Sequence, residues 1–195
     1  MRYLFFLLLL ISSAYFIRVR EYLELPQTIV LVGDSSLKNN RYVSRGIDTI
    51  VSGNVISLAR DGATIGTTIR QLDNLPDNIN TKSTILVLSV GGNDVLDGSV
   101  PVDQLFVSYQ MLLRSIVQKM GQSRIVLADM YYPMSLEYRR YYPAIRKWNQ
   151  LQSTVGHEIL SFSTIMDDED DFIMGIEPSD TGGKKIADAI NNLRI

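Results

Sequence analysis

The sequence contains no cysteine and carries little net charge, and both features narrow the possible functions. Without cysteine among its 195 residues, the protein has no disulfide bonds, no cysteine nucleophile and no thiolate zinc site. The formal net charge is −2, and no basic stripe with interleaved aromatic residues occurs, so nucleic acid is not expected as a partner. A hydrophobic content of 46% and a charged content of 21% are typical of one globular domain with a sizeable core.

Residues 1–25 differ from the rest of the chain because they begin with a positive charge followed by a long apolar run. This pattern predicts a signal or membrane anchor here, followed by a single domain over residues 26–195. Ser12-Ser13-Ala14 offers small residues that a signal peptidase accepts, which favours secretion. The apolar character then resumes and approaches the roughly 17 residues needed to cross a bilayer, which favours an uncleaved anchor. We expect a membrane-anchored or secreted protein with its domain outside the cytoplasm, although the two arginines after the apolar run oppose that orientation.

The apolar run over residues 28–32 stops abruptly at Gly33-Asp34-Ser35. A run rich in β-branched residues and leucine, bounded by turn residues, predicts a strand buried on both faces of a parallel sheet. Ligands of open α/β sheets bind outside the carboxyl ends of such strands, so Ser35 lies where chemistry usually occurs. Gly33 permits a tight turn that would expose the Ser35 hydroxyl. The alternative is that Asp34 or Ser35 only caps a helix.

Two further strand-like runs also end in turn residues. Residues 83–90 lead into Gly91-Gly92-Asn93-Asp94, and residues 54–59 lead into a turn that contains Gly62. The remaining apolar patterns predict two more strands, over 124–129 and 158–162, and helices over 38–52 (after a loop), 65–75, 102–120, 144–155 and the tail with Ile186, Ala187, Ile190 and Leu193. The regular alternation of strands and helices predicts a parallel α/β sandwich.

The blocks at Ser35, Gly62 and Asn93 resemble those of the SGNH or GDSL hydrolases, a family of serine esterases and lipases. The resemblance covers nearly all of the chain from residue 28 onward. It implies a three-layer α/β/α sandwich around a parallel, five-stranded, flavodoxin-like sheet, and it implies no cofactor. It also implies that Ser35 is the nucleophile and that the oxyanion hole is formed by the Ser35 N–H, the Gly62 N–H and the Asn93 side chain. Three neighbouring residues of the same blocks would support them: Asp34, Gly92 and Asp94.

The fourth block of the family departs from the expected pattern in this chain. In the family, an Asp, two residues and then His-Pro stand at the start of the last helix, where the His acts as base and the Asp orients it. Here Glu177 stands in place of the His before Pro178, and Met174 stands in place of the Asp. The chain is similar in this respect to a branch of the family with Glu-Pro-Ser. The only histidine, His157, precedes the fifth strand and is therefore expected at the opposite edge of the sheet from Ser35.

Three explanations of Glu177 remain open from the sequence. It could act as a carboxylate base with Asp171 as its partner. An ordinary Glu has a pKa of about 4.3 against roughly 6.5 for His, so burial or a nearby carboxylate would have to raise it. It could instead cap the last helix, because Pro178 suits the first helical position and a negative charge suits the helix dipole. Finally, activity could be lost and the pocket kept for binding.

The function predicted from these residues is hydrolysis of an ester of a small acyl group or a modified sugar through an acyl-serine intermediate. Its catalytic residues would be Ser35, Glu177 and Asp171, and its partners a small-molecule or glycan ester and, through the N-terminal segment, a membrane. The alternative is a weakly active or inactive domain that uses the same pocket for binding or interaction.

Two other stretches of the sequence could contribute to a functional site. A tyrosine-rich stretch from Tyr131 to Tyr142 follows the fourth strand, and it either shapes the substrate pocket or covers the core. The acidic run over residues 167–171 lacks the glycine and the ligand spacing of a calcium loop. It is interpreted as a solvated loop, and no metal site is predicted.

Overall fold

A computed structural model of the protein describes residues 27–38 and 45–194. The predicted signal or anchor over residues 1–25 lies outside this range. None of the helices in the described ranges is both long enough and apolar enough to cross a membrane.

The described chain alternates strands and helices in the predicted order. Five strands form the main sheet: β1 (Thr28–Gly33), β2 (Val55–Ser57), β3 (Thr84–Ser89), β4 (Arg124–Ala128) and β5 (Glu158–Leu160). Two short strands form a separate hairpin: β6 (Phe172–Ile173) and β7 (Glu177–Pro178). The α-helices are α1 (Ile47–Ile50), α2 (Ile65–Thr68), α3 (Gly92–Asp97), α4 (Val102–Met120), α5 (Tyr142–Gln152), α6 (Phe162–Ile165) and α7 (Asp180–Asn191). Short 3₁₀ helices cover Ile69–Asn74, Thr81–Ser83, Leu136–Tyr141 and Glu169–Asp171.

The main sheet is parallel throughout and has the strand order β2-β1-β3-β4-β5. The predicted five-stranded α/β sandwich is therefore confirmed. The strand order reverses at β1, so the loops after β1 and β3 diverge and leave a crevice at the carboxyl edge of the sheet. Ser35 and Asn93 follow these two strands.

The core consists of two layers because successive residues of each strand face opposite sides of the sheet. In β1, Val30 and Val32 pack with the layer that contains α4 and α5. Ile29 and Leu31 pack with the layer that contains α1 and α7. Both faces of the central strands are covered, which explains why their sequences are continuously apolar rather than alternating.

Three regions differ from the elements expected from the sequence. The helix expected over 65–75 is a single α-helical turn, α2, that continues as a 3₁₀ helix to Asn74. The helix expected over 38–52 is limited to α1 in the described residues, and residues 39–44 lie outside them. The hairpin β6–β7 was not predicted, because two-residue strands are too short to produce an alternating pattern.

Gly33 at the end of β1 lies unusually close to β3. Its φ is +139°, and a Cβ placed on it would lie 1.7 Å from the carbonyl oxygen of Ser89. The same carbonyl accepts a hydrogen bond of 3.0 Å from the backbone N–H of Asp34. No side chain fits at position 33, and glycine is required for the turn that carries Ser35.

We predict that Gly33→Ala destabilises the protein far more than Gly121→Ala. Both glycines have positive φ, but a Cβ at Gly121 would meet nothing within 4 Å. Gly121→Ala should therefore cost only the penalty for a sparsely populated backbone conformation, about 1–3 kcal/mol. Gly33→Ala adds a clash with backbone and should exceed about 4 kcal/mol or prevent folding. Urea unfolding, followed by the fluorescence of the single buried tryptophan, Trp148, measures both variants. Equal stability of the two variants would contradict the steric explanation.

Candidate active site

Ser35 lies in a tight turn directly after β1. Backbone hydrogen bonds of 3.2 Å from Leu37 N to Asp34 O and from Lys38 N to Ser35 O close the turn. Asp34 is buried, and its Oδ1 accepts hydrogen bonds from Ser36 N at 3.0 Å and from Ser36 Oγ at 2.6 Å. Asp34 thus braces the turn by accepting from the backbone N–H and the hydroxyl of Ser36, which leaves the side chain of Ser35 free to face the crevice.

The environment of Asp34 also changes its acidity. Burial raises the pKa of Asp34 to about 7, although the two hydrogen bonds from Ser36 oppose this change. The negative charges of Glu177 and Asp94 add smaller upward contributions. Near neutral pH, Asp34 is therefore present in both protonation states.

Glu177 lies beside Ser35, although 142 positions separate them in the sequence. The hydroxyl of Ser35 donates a hydrogen bond of 3.2 Å to Oε1 of Glu177. The other oxygen, Oε2, is buried and has no hydrogen-bond partner among the described residues. Burial raises the pKa of Glu177, the hydrogen bond from Ser35 lowers it, and the charge of Asp61 raises it further. A partly desolvated carboxylate in contact with a serine hydroxyl is the arrangement that a general base requires.

The expected pairing of Asp171 with Glu177 is not present. Asp171 is fully buried, and its Oδ2 accepts hydrogen bonds from the backbone N–H groups of Asp167 and Asp168 and, at 2.8 Å, from Lys185 Nζ. Its Oδ1 has no hydrogen-bond partner in the described chain. Asp171 therefore organises the acidic loop and ties it to α7 instead of orienting the carboxylate of Glu177.

The capping explanation of Glu177 is also wrong. The side chain of Ser179 caps α7 by accepting hydrogen bonds from Thr181 N and Gly182 N, both at 3.2 Å. Glu177 lies two residues earlier, in β7, and its side chain points to Ser35. The serine of the Glu-Pro-Ser segment thus provides the cap, which leaves the glutamate available to the crevice.

The residues that follow β3 hold the loop that follows β2 in place. Asn93 Nδ2 donates a hydrogen bond of 2.9 Å to the carbonyl of Ala63, and Asp94 Oδ2 accepts one of 3.0 Å from Ile65 N. These two bonds fix the loop that carries Gly62, an exposed residue with φ of +72°. Asn93 lines the same pocket as Ser35 and Glu177, whereas Gly62 lies outside its lining.

The pocket next to Ser35 has a cavity volume of about 50 Å³. Ser35, Asn93 and Glu177 lie on its wall, and the following residues complete much of its lining: Ser36, Ser89, Val90, Leu96, Ile145 and Trp148. Trp148 can approach because the neighbouring residue is Gly91, where a Cβ would lie 2.5 Å from the indole ring. The lining therefore combines polar side chains with apolar ones such as Val90, Ile145 and Trp148.

The tyrosines of the stretch after β4 divide between the two expected roles. Tyr131 lines the pocket, and its pKa lies well above the ordinary value because of burial and the nearby charges of Glu177 and Asp34. Its hydroxyl therefore stays protonated. Tyr132, Tyr141 and Tyr142 pack against the core instead.

The remaining expectations concern His157 and a metal site. His157 precedes β5 and lines a separate surface depression with Gln110 and Arg114, at the opposite edge of the sheet from Ser35, as predicted. In the described ranges, no group of three or more acidic or histidine side chains is arranged to hold a metal ion.

Gln71 is a buried residue of the site that the sequence analysis missed. Its Oε1 accepts a hydrogen bond of 2.8 Å from Gly33 N, and its Nε2 donates one of 2.7 Å to Gly33 O. One side chain thus satisfies both backbone groups of the residue that precedes Asp34 and Ser35. The only signal in the sequence was a polar residue next to Leu72 on the inner side of a short helical segment, which does not identify a partner.

Comparison with known proteins shows resemblance at the level of three-dimensional structure. No protein-family model and no curated protein sequence matches the chain. A member of the lipolytic protein G-D-S-L family from Veillonella parvula matches with a TM-score of 0.69 and 17% identity, covering 86% of this chain and 97% of its own. The psychrotrophic esterase EstA from Pseudoalteromonas sp. matches with a TM-score of 0.65 and 19% identity, covering 85% and 95%. A family 3 carbohydrate esterase from Clostridium thermocellum matches with a TM-score of 0.59 and 19% identity, covering 85% and 94%.

These matches cover 85–86% of this chain and 94–97% of the matched proteins. At identities below 20% they establish the fold and leave the chemistry to the site itself. The chain therefore has the fold of the GDSL-type lipolytic enzymes, the SGNH hydrolases.

Proposed function

We propose that the protein is an ester hydrolase in which Ser35 is the nucleophile and Glu177 is the general base. The observation that supports this proposal most directly is the 3.2 Å hydrogen bond from Ser35 Oγ to Glu177 Oε1 at the pocket wall. A serine hydroxyl becomes a useful nucleophile only when a base within hydrogen-bond distance can accept its proton. Glu177 is the one residue of the pocket that receives the Ser35 hydrogen bond.

In the proposed reaction, Ser35 Oγ attacks the carbonyl carbon of the ester while its proton moves to Glu177. The resulting oxyanion is stabilised by the N–H groups of Ser35 and Gly62 and by the amide of Asn93. Asn93 Nδ2 gives one of its two hydrogens to Ala63 O, so the second hydrogen is available to the oxyanion. The bond to the alcohol then breaks, and the leaving oxygen takes the proton from Glu177. A water molecule, deprotonated by Glu177, then attacks the acyl carbon; the bond to Ser35 Oγ breaks, Glu177 returns the proton to Ser35 Oγ, and the acid leaves.

Burial makes a carboxylate a better base in this position than an ordinary Glu. The ordinary pKa values of Glu and His differ by roughly two units, and the upward shift of Glu177 closes part of that gap. Positioned base catalysis contributes about 10²–10⁴ in rate, and an oxyanion hole alone contributes roughly 10³–10⁴ over water. The site can therefore support measurable turnover although it lacks histidine.

The size of the pocket favours a small acyl group. A single water molecule needs about 10–15 Å³ of such a cavity, so about 50 Å³ accommodates a group of a few heavy atoms. Acetyl esters fit this limit. The matched carbohydrate esterase shows that this fold is compatible with esters of sugars, and the matched EstA structure was inhibited by monoethylphosphonate, which makes phosphonates suitable probes for Ser35.

We also propose, from the sequence alone, that residues 1–25 attach the protein to a membrane or direct its secretion. Fractionation of cells that express the full chain tests this: recovery in the cytosolic fraction at full length would contradict the proposal.

Replacement of either reacting residue should abolish most of the activity. For hydrolysis of a short-chain aryl ester, we expect Ser35→Ala to fall to background and Glu177→Gln to lose about 10²–10⁴ in kcat/KM, since glutamine cannot accept the proton. Labelling by an ethyl phosphonate probe should disappear in Ser35→Ala and slow in Glu177→Gln. If the parent protein neither turns over an ester nor reacts with the probe, the domain binds ligands without catalysis and the proposal is wrong.

The pH profile should identify Glu177 as the base. Activity requires the ionised carboxylate, so kcat/KM should rise as the pH increases through its raised pKa and then level off. Because Asp34, with its pKa raised to about 7, interacts with Glu177, the rise should be broader than the titration of a single carboxylate. Asp171→Asn should lower the unfolding temperature but leave the midpoint of this rise unchanged, because Asp171 does not contact Glu177. If the midpoint shifts in Asp171→Asn, Asp171 acts on the Glu177 carboxylate, as expected from the sequence.

Removing the side-chain amide of Gln71 should weaken catalysis more than folding. Gln71→Leu leaves Gly33 N without its partner and removes one of the two donors to Gly33 O, which keeps the hydrogen bond of 3.0 Å from Arg60 N. Small displacements of a nucleophile cost up to about 10² in rate. Gln152 provides a matched control because it is also buried and its side chain bonds to Tyr109 and Ala128, with no hydrogen bond to the turn that carries Ser35. We expect similar losses of thermal stability in Gln71→Leu and Gln152→Leu, but a loss of kcat of tenfold or more, at roughly constant KM, only in Gln71→Leu. Equal kcat values in the two variants would show that Gln71 has a purely structural role.

A further inference from the structure

Two large apolar side chains are exposed close to the mouth of the pocket. Leu136, at the start of a 3₁₀ helix, is 73% exposed, and Met174, at the tip of the β6–β7 hairpin, is 61% exposed. Scattered exposed apolar residues need no explanation, but a group beside a functional pocket often does.

The backbone of Met174 is strained. Its φ is 53°, the only positive φ of a non-glycine residue in the described chain, and the following Gly175 has φ of 67°. A hydrogen bond of 3.3 Å from Ile176 N to Ile173 O closes this turn, in which both central residues are left-handed. Such turns favour Asn-Gly or Gly-Gly, and a left-handed methionine is disfavoured because its Cβ crowds the backbone. Because the Met174 side chain is exposed, its packing offsets little of this backbone cost. The stability of the fold therefore does not explain why methionine stands at this position.

The tip of the β6–β7 hairpin is in close contact with the segment that carries Leu136. Ser135 N donates a hydrogen bond of 3.0 Å to Gly175 O, and a Cβ on Gly175 would lie 2.8 Å from Ser135 N. Leu136 and Met174 each directly adjoin one partner of this contact. The residues on the inner side of the same two segments, Pro133 and Ile176, line the pocket. Leu136 and Met174 therefore lie within three residues of pocket-lining positions, on two segments that contact each other.

The chemistry of the proposed reaction indicates which part of the substrate meets this surface. The proton that Glu177 takes from Ser35 must be delivered to the oxygen of the leaving alcohol, so that oxygen lies within hydrogen-bond distance of the Glu177 carboxyl group. Glu177 follows Met174 by three residues on the same hairpin. With the small acyl group in the enclosed pocket, the alcohol extends along the hairpin towards its tip.

We propose that Leu136 and Met174, together called the apolar rim, bind the alcohol part of the substrate. The preferred substrates are then esters that combine a small acyl group with an apolar alcohol, rather than acylated sugars. This inference rests on the proposed function, because it uses the return of the proton from Glu177.

A series of acetate esters tests the apolar rim with the acyl group held constant. With the full chain in a fixed concentration of non-ionic detergent, kcat/KM should rise from ethyl to butyl to hexyl acetate by about two- to fourfold per methylene, because each buried methylene contributes hydrophobic free energy. The increase should arise mainly in KM, since the alcohol chain is bound equally in the substrate and in the transition state.

Met174→Asn and Leu136→Ser should each flatten this chain-length dependence. Asparagine suits the left-handed position before Gly175, so Met174→Asn should unfold at the same or a higher temperature, and reduced selectivity cannot then be attributed to damaged folding. Met111→Ser is the matched control, because Met111 is 62% exposed on α4, outside the pocket lining. It should retain the slope of the parent protein, which also corrects for partition of the esters into detergent.

The outcomes separate this inference from the proposed function. A slope in Met174→Asn and Leu136→Ser equal to that of the parent, with hydrolysis intact, overturns the apolar rim alone. A higher kcat/KM for acetylated sugars than for hexyl acetate also overturns it. If the parent hydrolyses no ester, the proposed function fails and the apolar rim fails with it.

Discussion

The contact between the carboxyl ends of β1 and β3 is the constraint on which the site depends. Gly33 lies so close to the carbonyl of Ser89 that no side chain fits, and the next residue, Asp34, hydrogen-bonds to the same carbonyl. The chain must therefore turn sharply, and Asp34 and Gln71 supply the hydrogen bonds that this turn needs. These hydrogen bonds fix the position of Ser35. A nucleophile at the rigid end of a strand keeps the geometry that catalysis requires.

The second requirement is a carboxylate next to Ser35, and it is supplied by Glu177, 142 positions later in the chain. The hairpin β6–β7 carries Glu177, and Asp171 anchors the hairpin through Lys185 and through a hydrogen bond of 2.8 Å from Ser179 N to its own carbonyl. Asp171 thus acts on the scaffold that carries Glu177 rather than on the carboxylate itself. The same hairpin carries the strained, exposed Met174 at its tip, so the proposed base and part of the apolar rim lie on one structural element.

The sequence was sufficient to predict the main sheet and the principal residues of the site. Strands buried on both faces produce continuous apolar runs, and each ends in turn residues, so their order and approximate bounds could be identified. Ser35 and Asn93 follow such runs directly, and the fold places both on one pocket. Shorter elements could not be predicted in the same way. The 3₁₀ continuation of α2 and the hairpin β6–β7 contain too few residues for a periodic pattern, and their conformations depend on neighbours distant in sequence.

By itself, the sequence determined the fold class, the position of Ser35 after a strand, and the absence of a histidine from the place where one is expected. Only the tertiary structure decided which partners Glu177 and Asp171 have. Both are acidic residues near the start of α7, and local patterns allow a base, a cap or an ion pair for either one. The structure places Glu177 against Ser35 and Asp171 against Lys185. The reason is physical: a carboxylate takes its pKa and its partner from its burial and from the groups that surround it, and these groups come from distant parts of the chain.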